Sequence, residues 1–317
     1  IAVAIRVLSL GAPLLAHPDW NVLNGLGFLW NPNFEMLTQA KVWLAAAGQI
    51  FFTLSVGIGV ILTYASYLKK NDDIVLSGLT SSMANEFAEV ILGGSIAITA
   101  AFAFYGPNEI INIANSGAFN LGFVTMPLIF GKIHFGMVFA FLWFMLLFLA
   151  GITSSVSLAQ PAVAFIEDEF NVSKKRAVSI FSMISFILCQ PAIFFLSKGV
   201  LNELDFWGGT FCLVLFATIE TILFAWVFGM DKAWKEIHHG SMMQIPGAYK
   251  FIIKYITPPI LITILGAWLY QEGIPTIMMK GVPAANVPYI AGIRIMLIMI
   301  FVGFAVAVKT AWRQKRK

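Results

Sequence analysis

GQIFFTLSVGIGVILTYASY, from Gly48 to Tyr67, decides how the rest of the chain is read. As a helix rising about 1.5 Å per residue, a stretch of this length crosses a hydrocarbon core of roughly 30 Å. Its apolar surface is interrupted in the middle by Thr53, Ser55, Gly57 and Gly59. Small residues at that depth have two uses. They let neighbouring helices approach closely, or they let the helix unwind so that freed carbonyl and N–H groups meet an ion or substrate near the membrane midplane. Taken alone, the stretch fits both.

Outward from it, similar apolar runs cover 75–105, 135–166, 177–196, 206–228, 252–271 and 288–309, so that with 42–67 seven complete spans are expected. The runs are unbroken rather than alternating. Backbone groups in lipid must be paired within the structure, by helices or closed barrels, and this pattern selects helices. The fold class is therefore all-α and polytopic. Composition agrees: 59% of the 317 residues are hydrophobic and 11% charged, too little charge to cover a water-soluble domain of this size. Cys189 and Cys212 lie inside separate apolar spans, as small core residues rather than a disulfide or metal pair. Ile1 opens within an apolar stretch with no initiator Met, so the chain is expected to be a fragment lacking an upstream portion.

The net charge of +4 carries topology rather than an affinity for nucleic acid. Lys69 and Lys70, the Lys174-Lys175-Arg176 triplet, the Lys232, Lys235, Lys250 and Lys254 segment, and the tail Arg313, Lys315, Arg316 and Lys317 alternate onto one side. The positive-inside rule makes that side cytoplasmic, and the C-terminus with it. Lys41, Lys132, Lys198 and Lys280 are exceptions in the opposite loops. Among those loops, Gly106 to His134 is too apolar for plain solvent and is expected to fold back as a short hairpin or lid. DKAWKEIHHG reads as a short cytoplasmic surface helix. His238 and His239 fall in that soluble loop, where a metal site is not expected.

Polar residues within the spans form further clusters. Asn85 and Glu89, at i and i+4, share a helix face, with Glu86 about 100° away; ionisable groups at that depth need partners. In LAGITSSVSLAQP, Ala150, Thr153 and Ser154 follow i, i+3, i+4 spacing and Leu158 continues the face. A carbonyl with two adjacent hydroxyls makes a hard oxygen site for a small cation, although such hydroxyls commonly bond back to their own helix. Asp168 and Asp205 read most simply as solvated carboxylates at helix ends, where they could serve as caps. Glu220 has no visible partner. No nucleophile motif, phosphate loop or zinc spacing is present.

The stretches GQIFFTLSVGIGVILTYASY, DIVLSGLTSSMANEFAEVILGG, SGAFNLGFVTMP, LAGITSSVSLAQP, AFIEDEF, LDFWGGT and GMDKAWKEI resemble, in collinear order, the neurotransmitter:sodium symporter family, and within it the bacterial leucine-transporter branch. The resemblance implies a fold of twelve helices, the first ten in two inverted repeats. This chain would be one transmembrane domain over 1–317, with the end of helix 5 at 1–15, helices 6–10 as the second repeat at 42–228, and helices 11–12 at 252–309. Helices 1–4 would be absent.

By the same resemblance, Phe52, Thr53, Ser55, Ile58, Ser154 and Leu158 bind substrate. Thr53 and Asn85 serve a first sodium ion. Ala150, Thr153 and Ser154 serve a second. Glu89 supplies the counter-charge that chloride supplies in other members. Gln49 and Asp205 belong to an extracellular gate, Tyr67 and Asp168 to a cytoplasmic one, and Phe119 faces the outer vestibule. The implied function is sodium-coupled symport of an amino acid, hydrophobic or aliphatic, by alternating access and without chloride. An ion channel or a membrane-embedded enzyme is the alternative; the chain is not expected to be an enzyme. Sodium is the coupling ion and no organic cofactor is implied. Partners are a small amino acid and the bilayer, with a homodimer left open and no nucleic acid. The location is the plasma membrane, the inner membrane in a bacterium.

Overall fold

The computed structural model describes residues 1–315; Arg316 and Lys317 of the basic tail lie outside the described residues, as do the side chains of Gln314 and Lys315. No strand occurs among the described residues. The helices are α1 (Ala2–Leu8), α2 (Val22–Trp30), α3 (Ala40–Thr53), α4 (Val60–Ala65), α5 (Ile74–Asn115), α6 (Ala118–Phe130), α7 (Gly136–Phe170), α8 (Lys174–Phe194), α9 (Val200–Ile237), α10 (Gly247–Ile277) and α11 (Val287–Lys315). Among the described residues α5, α7, α8, α9, α10 and α11 are long and apolar enough to cross a membrane. The chain is an integral membrane protein.

Six such helices stand against seven expected spans, and the difference is 42–67. That stretch is two helices, α3 and α4, separated by residues 54–59. Ser55, Gly57 and Gly59 there have φ of 58°, 80° and 75°, a left-handed conformation that no α-helix continues through. A second departure from expectation is the 106–134 segment, which is mostly helical: α5 bends at Gly106 (φ 77°) and runs on to Asn115, and α6 follows. The surface helix expected from DKAWKEIHHG forms over Met230–Ile237, set off from the rest of α9 by Gly229 at φ 95°.

The chain divides into two compact units. One comprises 1–34 and 77–154, the other 35–76 and 155–317. In the first, α1 and α2 pack on the 95–105 part of α5, around Val3, Val7, Ile96, Ala100, Phe104, Ile110 and Met126. In the second, α3 packs against the first half of α9 and against α10, and Leu44, Val214, Leu261, Ile264 and Trp268 form the core. Turns wider than α interrupt several helices, notably π-helical stretches at Phe87–Gly94 and Asp205–Phe211. Such turns are frequent at functional positions.

Candidate functional site

The break between α3 and α4 has a polar interior. At its entry Leu54 N–H donates to Ile50 O (3.1 Å), Ser55 N–H to Phe52 O (3.1 Å) and Val56 N–H to Phe51 O (2.9 Å), closing the end of α3. The carbonyls of Leu54, Ser55 and Val56 accept no hydrogen bond among the described residues. Gly57 N–H donates to Glu220 Oε2 at 3.1 Å. Glu220 thus has the partner that its sequence neighbourhood conceals, 163 positions away. Gly57 is buried against α9, where a Cβ would stand 2.8 Å from Leu213 O and 2.9 Å from Ala217 N. Both uses of small residues therefore coincide: one glycine gives close helix packing and takes part in the unwinding. Of the expected substrate residues, Phe52 and Thr53 close α3, and Ser55 and Ile58 lie in the break.

Beyond the break α4 meets α7. Tyr64 Oη donates to Ser157 Oγ at 2.9 Å, and a Cβ on Gly59 would lie 3.6 Å from Pro161 Cβ. These contacts bring the 157–161 part of α7, with Leu158, to the end of the break. Further back along α7, Thr153 Oγ1 donates to Leu149 O (2.9 Å) and Ala150 O (3.1 Å). The hydroxyl proton is engaged by the helix itself, so the oxygen presents lone pairs outward. Ala150 O and Thr153 Oγ1 are adjacent, as a shared cation ligand set requires, and this part of α7 is exposed.

Asn85 Nδ2 donates to Glu89 Oε2 at 3.2 Å, which confirms that the two share a face even though Glu89 lies in the π-helical stretch. That contact orients the amide, with its nitrogen toward the carboxylate and its oxygen directed away. Asn85, Glu89, Ala150, Thr153 and Ser154 belong to the first compact unit; Phe52, Thr53, Ser55, Ile58 and Leu158 belong to the second.

The expected gate residues are placed less tightly. Gln49 lies on α3, next to Gly48, which packs so closely that a Cβ would be 3.0 Å from Thr210 Cγ2 on α9. Asp205 is exposed, with no hydrogen-bond or ion-pair partner among the described residues. It does not cap its helix, because α9 begins at Val200. Tyr67 is exposed and its ring lies 6.3 Å from that of Tyr64. Asp168 is exposed near the end of α7 and likewise has no partner among the described residues. Phe119 stacks on Phe123 at 4.9 Å in the first unit. The α9–α10 loop is clamped to residues 70–73 of its own unit. His239 Nδ1 meets Lys70 O at 2.9 Å, and Met242 N–H donates to Asp73 Oδ2 at 2.7 Å.

The sequence profile of the sodium:neurotransmitter symporter family matches residues 20–313. An uncharacterised sodium-dependent transporter of Methanocaldococcus jannaschii is 31% identical over 246 residues, 77% of this chain and 50% of that protein. The sodium-dependent dopamine transporter of Caenorhabditis elegans is 27% identical over 254 residues, 78% of this chain and 40% of its own length. The chain thus spans half or less of these relatives. The crystal structure of MhsT in complex with L-phenylalanine aligns with a TM-score of 0.71 at 27% identity, covering 84% of this chain and 58% of that one. Because the profile runs through the broken helix and the α7 hydroxyls alike, the protein belongs to the sodium:neurotransmitter symporter family.

Proposed function

We propose that the protein acts in sodium-coupled symport of an amino acid, preferentially an apolar one, by alternating access and without a requirement for chloride. The observation that carries this reading is the break at residues 54–59, with carbonyls turned away from helical pairing and an N–H taken by a carboxylate. An amino acid is a zwitterion. Its ammonium suits such carbonyls and its carboxylate suits N–H groups at helix ends, so a broken helix binds the part common to all amino acids. Relatives named for sodium dependence, and a solved relative holding phenylalanine, support the choice of ion and cargo.

On this reading Phe52, Thr53, Ser55, Ile58, Ser154 and Leu158 contact the substrate, with Ile58 and Leu158 offering branched apolar surface to its side chain. Thr53 and Asn85 are assigned to one sodium ion, and Ala150, Thr153 and Ser154 to another. Glu89, bonded to Asn85, supplies the negative charge that offsets the ion's lost hydration. Gln49 and Asp205 act at the outer gate with Phe119 in the vestibule, and Tyr67 and Asp168 at the inner one. The basic loops set the C-terminus in the cytoplasm and the protein in the plasma membrane. The membrane potential supplies about 2.3 kcal/mol per charge per 100 mV to inward movement.

The test is uptake by the full-length protein in proteoliposomes under a sodium gradient. Replacing Thr153 and Ser154 together by Ala removes two oxygen ligands with little change of volume. The sodium concentration for half-maximal uptake should rise about tenfold or more, as expected when each lost ligand contributes on the order of 1–3 kcal/mol. Unchanged sodium dependence would show that these hydroxyls only serve their own helix. In sodium gluconate the wild type should transport as in sodium chloride, and a chloride requirement should appear in Glu89→Ser.

A further inference from the structure

Arg294 is the one charged residue in the apolar stretch from Val287 to Val308. Its side chain is 15% exposed and that of its partner Glu203 14%. Removing both charges from water is costly, and an ion pair offsets that cost only when its geometry satisfies most of the donors. Here it does. Arg294 Nε donates to Glu203 Oε1 at 2.5 Å, Nη1 to Ile277 O at 2.6 Å and Nη2 to Thr276 O at 2.9 Å. Its guanidinium lies over the Trp207 ring, 5.4 Å from the centroid, and Trp207 Nε1 donates to the same Glu203 oxygen at 2.6 Å. A planar fork with donors on three sides fixes orientation in a way that a lysine or an apolar contact does not.

The arrangement joins α11, the end of α10 and the start of α9. Trp207 in turn belongs to an aromatic group with Phe206, Phe211 and Trp268, at centroid distances of 5.1–6.4 Å, which packs under α3. Glu203 and Trp207 are four residues apart and share a face of α9. Asp205 lies midway between them in sequence, about 200° around from either, and is the exposed member of the three. One face of this turn is therefore held by Arg294, and the opposite face presents an unpartnered carboxylate.

We propose that Arg294 is a positioning residue for the extracellular gate: through Glu203 and Trp207 it fixes the 203–207 turn of α9 so that the Asp205 carboxylate is presented in one orientation. The proposal rests on the reading of Asp205 as a gate residue, and the experiment separates the two. Uptake kinetics and substrate binding are measured in the full-length protein for wild type, Arg294→Gln, Asp205→Asn and the double variant, with each normalised to folded protein by detergent gel filtration. Arg294→Gln should raise the KM about tenfold, a size usual for coupling within one contact network, while Asp205→Asn raises it at least as much and the double variant does no worse than Asp205→Asn. Arg294→Lys, which keeps the charge but not the fork, should fall between wild type and Arg294→Gln.

Additive effects in the double variant would overturn the proposal, because Arg294 would then act independently of Asp205. A lower melting temperature with unchanged KM would overturn it too, leaving a merely structural ion pair. If Asp205→Asn has no effect on KM, the gate reading itself fails, and the proposal with it. If Arg294→Gln does not fold, the same cycle is run with Trp207→Phe, which removes the N–H donor and keeps the ring. The same non-additivity with Asp205→Asn is expected, and additivity or an unchanged KM refutes the proposal.

Discussion

Two of the interruptions at glycines with positive φ, one in α5 and one between α3 and α4, differ in kind. At Gly106 in α5 a single residue departs from helical geometry, Pro107 follows, and the chain resumes at once. The opening is filled by hydrocarbon: a Cβ on Gly106 would lie 2.3 Å from Trp20 Cε2. Between α3 and α4 residues 54–59 all leave the helix, a serine takes a left-handed conformation, and the polar backbone is met by a carboxylate instead of a ring. The first interruption is a bend sealed by packing. The second keeps peptide groups available at the cost of strain, which the surrounding contacts must hold in place. A glycine in a membrane helix is thus ambiguous until its lining is known, because apolar lining marks a hinge of the fold and polar lining marks a place for chemistry.

The largest expected effect comes from breaking the bend. Gly106→Ala combines a left-handed φ with a collision against the indole, and should destabilise the first unit by roughly 2–5 kcal/mol. Thermal unfolding in detergent would show it, and Trp20→Ala in the same chain should recover part of the loss. Recovery by a small residue at position 20 would confirm that the bend is held by packing alone; no recovery would mean that the comparison misplaces its cause.

A smaller effect tests the polar lining. Glu220→Gln keeps an acceptor for Gly57 N–H but removes the charge, and hydrogen bonds to charged groups are about twice as strong as neutral ones. Stability should fall by about 1 kcal/mol, while substrate affinity changes more than Gly106→Ala changes it per unit of stability lost. Equal sensitivity of binding to both variants would erase the distinction drawn between the two interruptions.

The smallest effect should touch neither. Asp73 Oδ1 accepts from Leu76 N–H at 2.8 Å and Oδ2 from Met242 N–H, contacts that hold its carboxyl below the ordinary value of 3.8. A carboxylate whose pKa is depressed on folding adds stability that is complete above the unfolded value and is lost as pH falls through the folded one. The clamp between residues 70–73 and the α9–α10 loop should therefore loosen only below about pH 4. Hydrogen exchange at Leu76 and Met242 would rise there in wild type, and already at neutral pH in Asp73→Asn. Exchange within 54–59 should stay constant over the same range.

Much of this was legible in the sequence. Unbroken apolar runs are a strong signal because lipid imposes one solution on the backbone, and the pairing of Asn85 with Glu89 followed from helical spacing alone. From Gly57 and Gly59 only the choice between close packing and unwinding was legible. That Ser55 would share their conformation was not, since serine carries no such preference. The partner of Gly57 was illegible for another reason: it sits on a helix far along the chain, and sequence distance says nothing about which helices meet. Arg294 went unremarked inside a plain apolar run, although an arginine at such a position is itself a signal that partners must exist. The 106–134 segment was read as too apolar for plain solvent, but its largely helical course was not legible, because which of its apolar residues are buried, Ile110, Met126 and Ile129 among them, depends on tertiary packing.

The carbonyls of Leu54, Ser55 and Val56 have a bearing on how this protein survives purification. In a bilayer an unsatisfied backbone oxygen costs several kcal/mol, so a cation or ammonium that meets these oxygens completes the hydrogen bonding of the native chain. Mass action then ties resistance to heat to the surrounding solution, by about 2.7 kcal/mol at a ligand concentration a hundredfold above Kd. On the proposed function, cargo and coupling ion would act as removable parts of the fold, and a melting curve recorded across candidate amino acids, with and without sodium, would rank them without a single transport cycle.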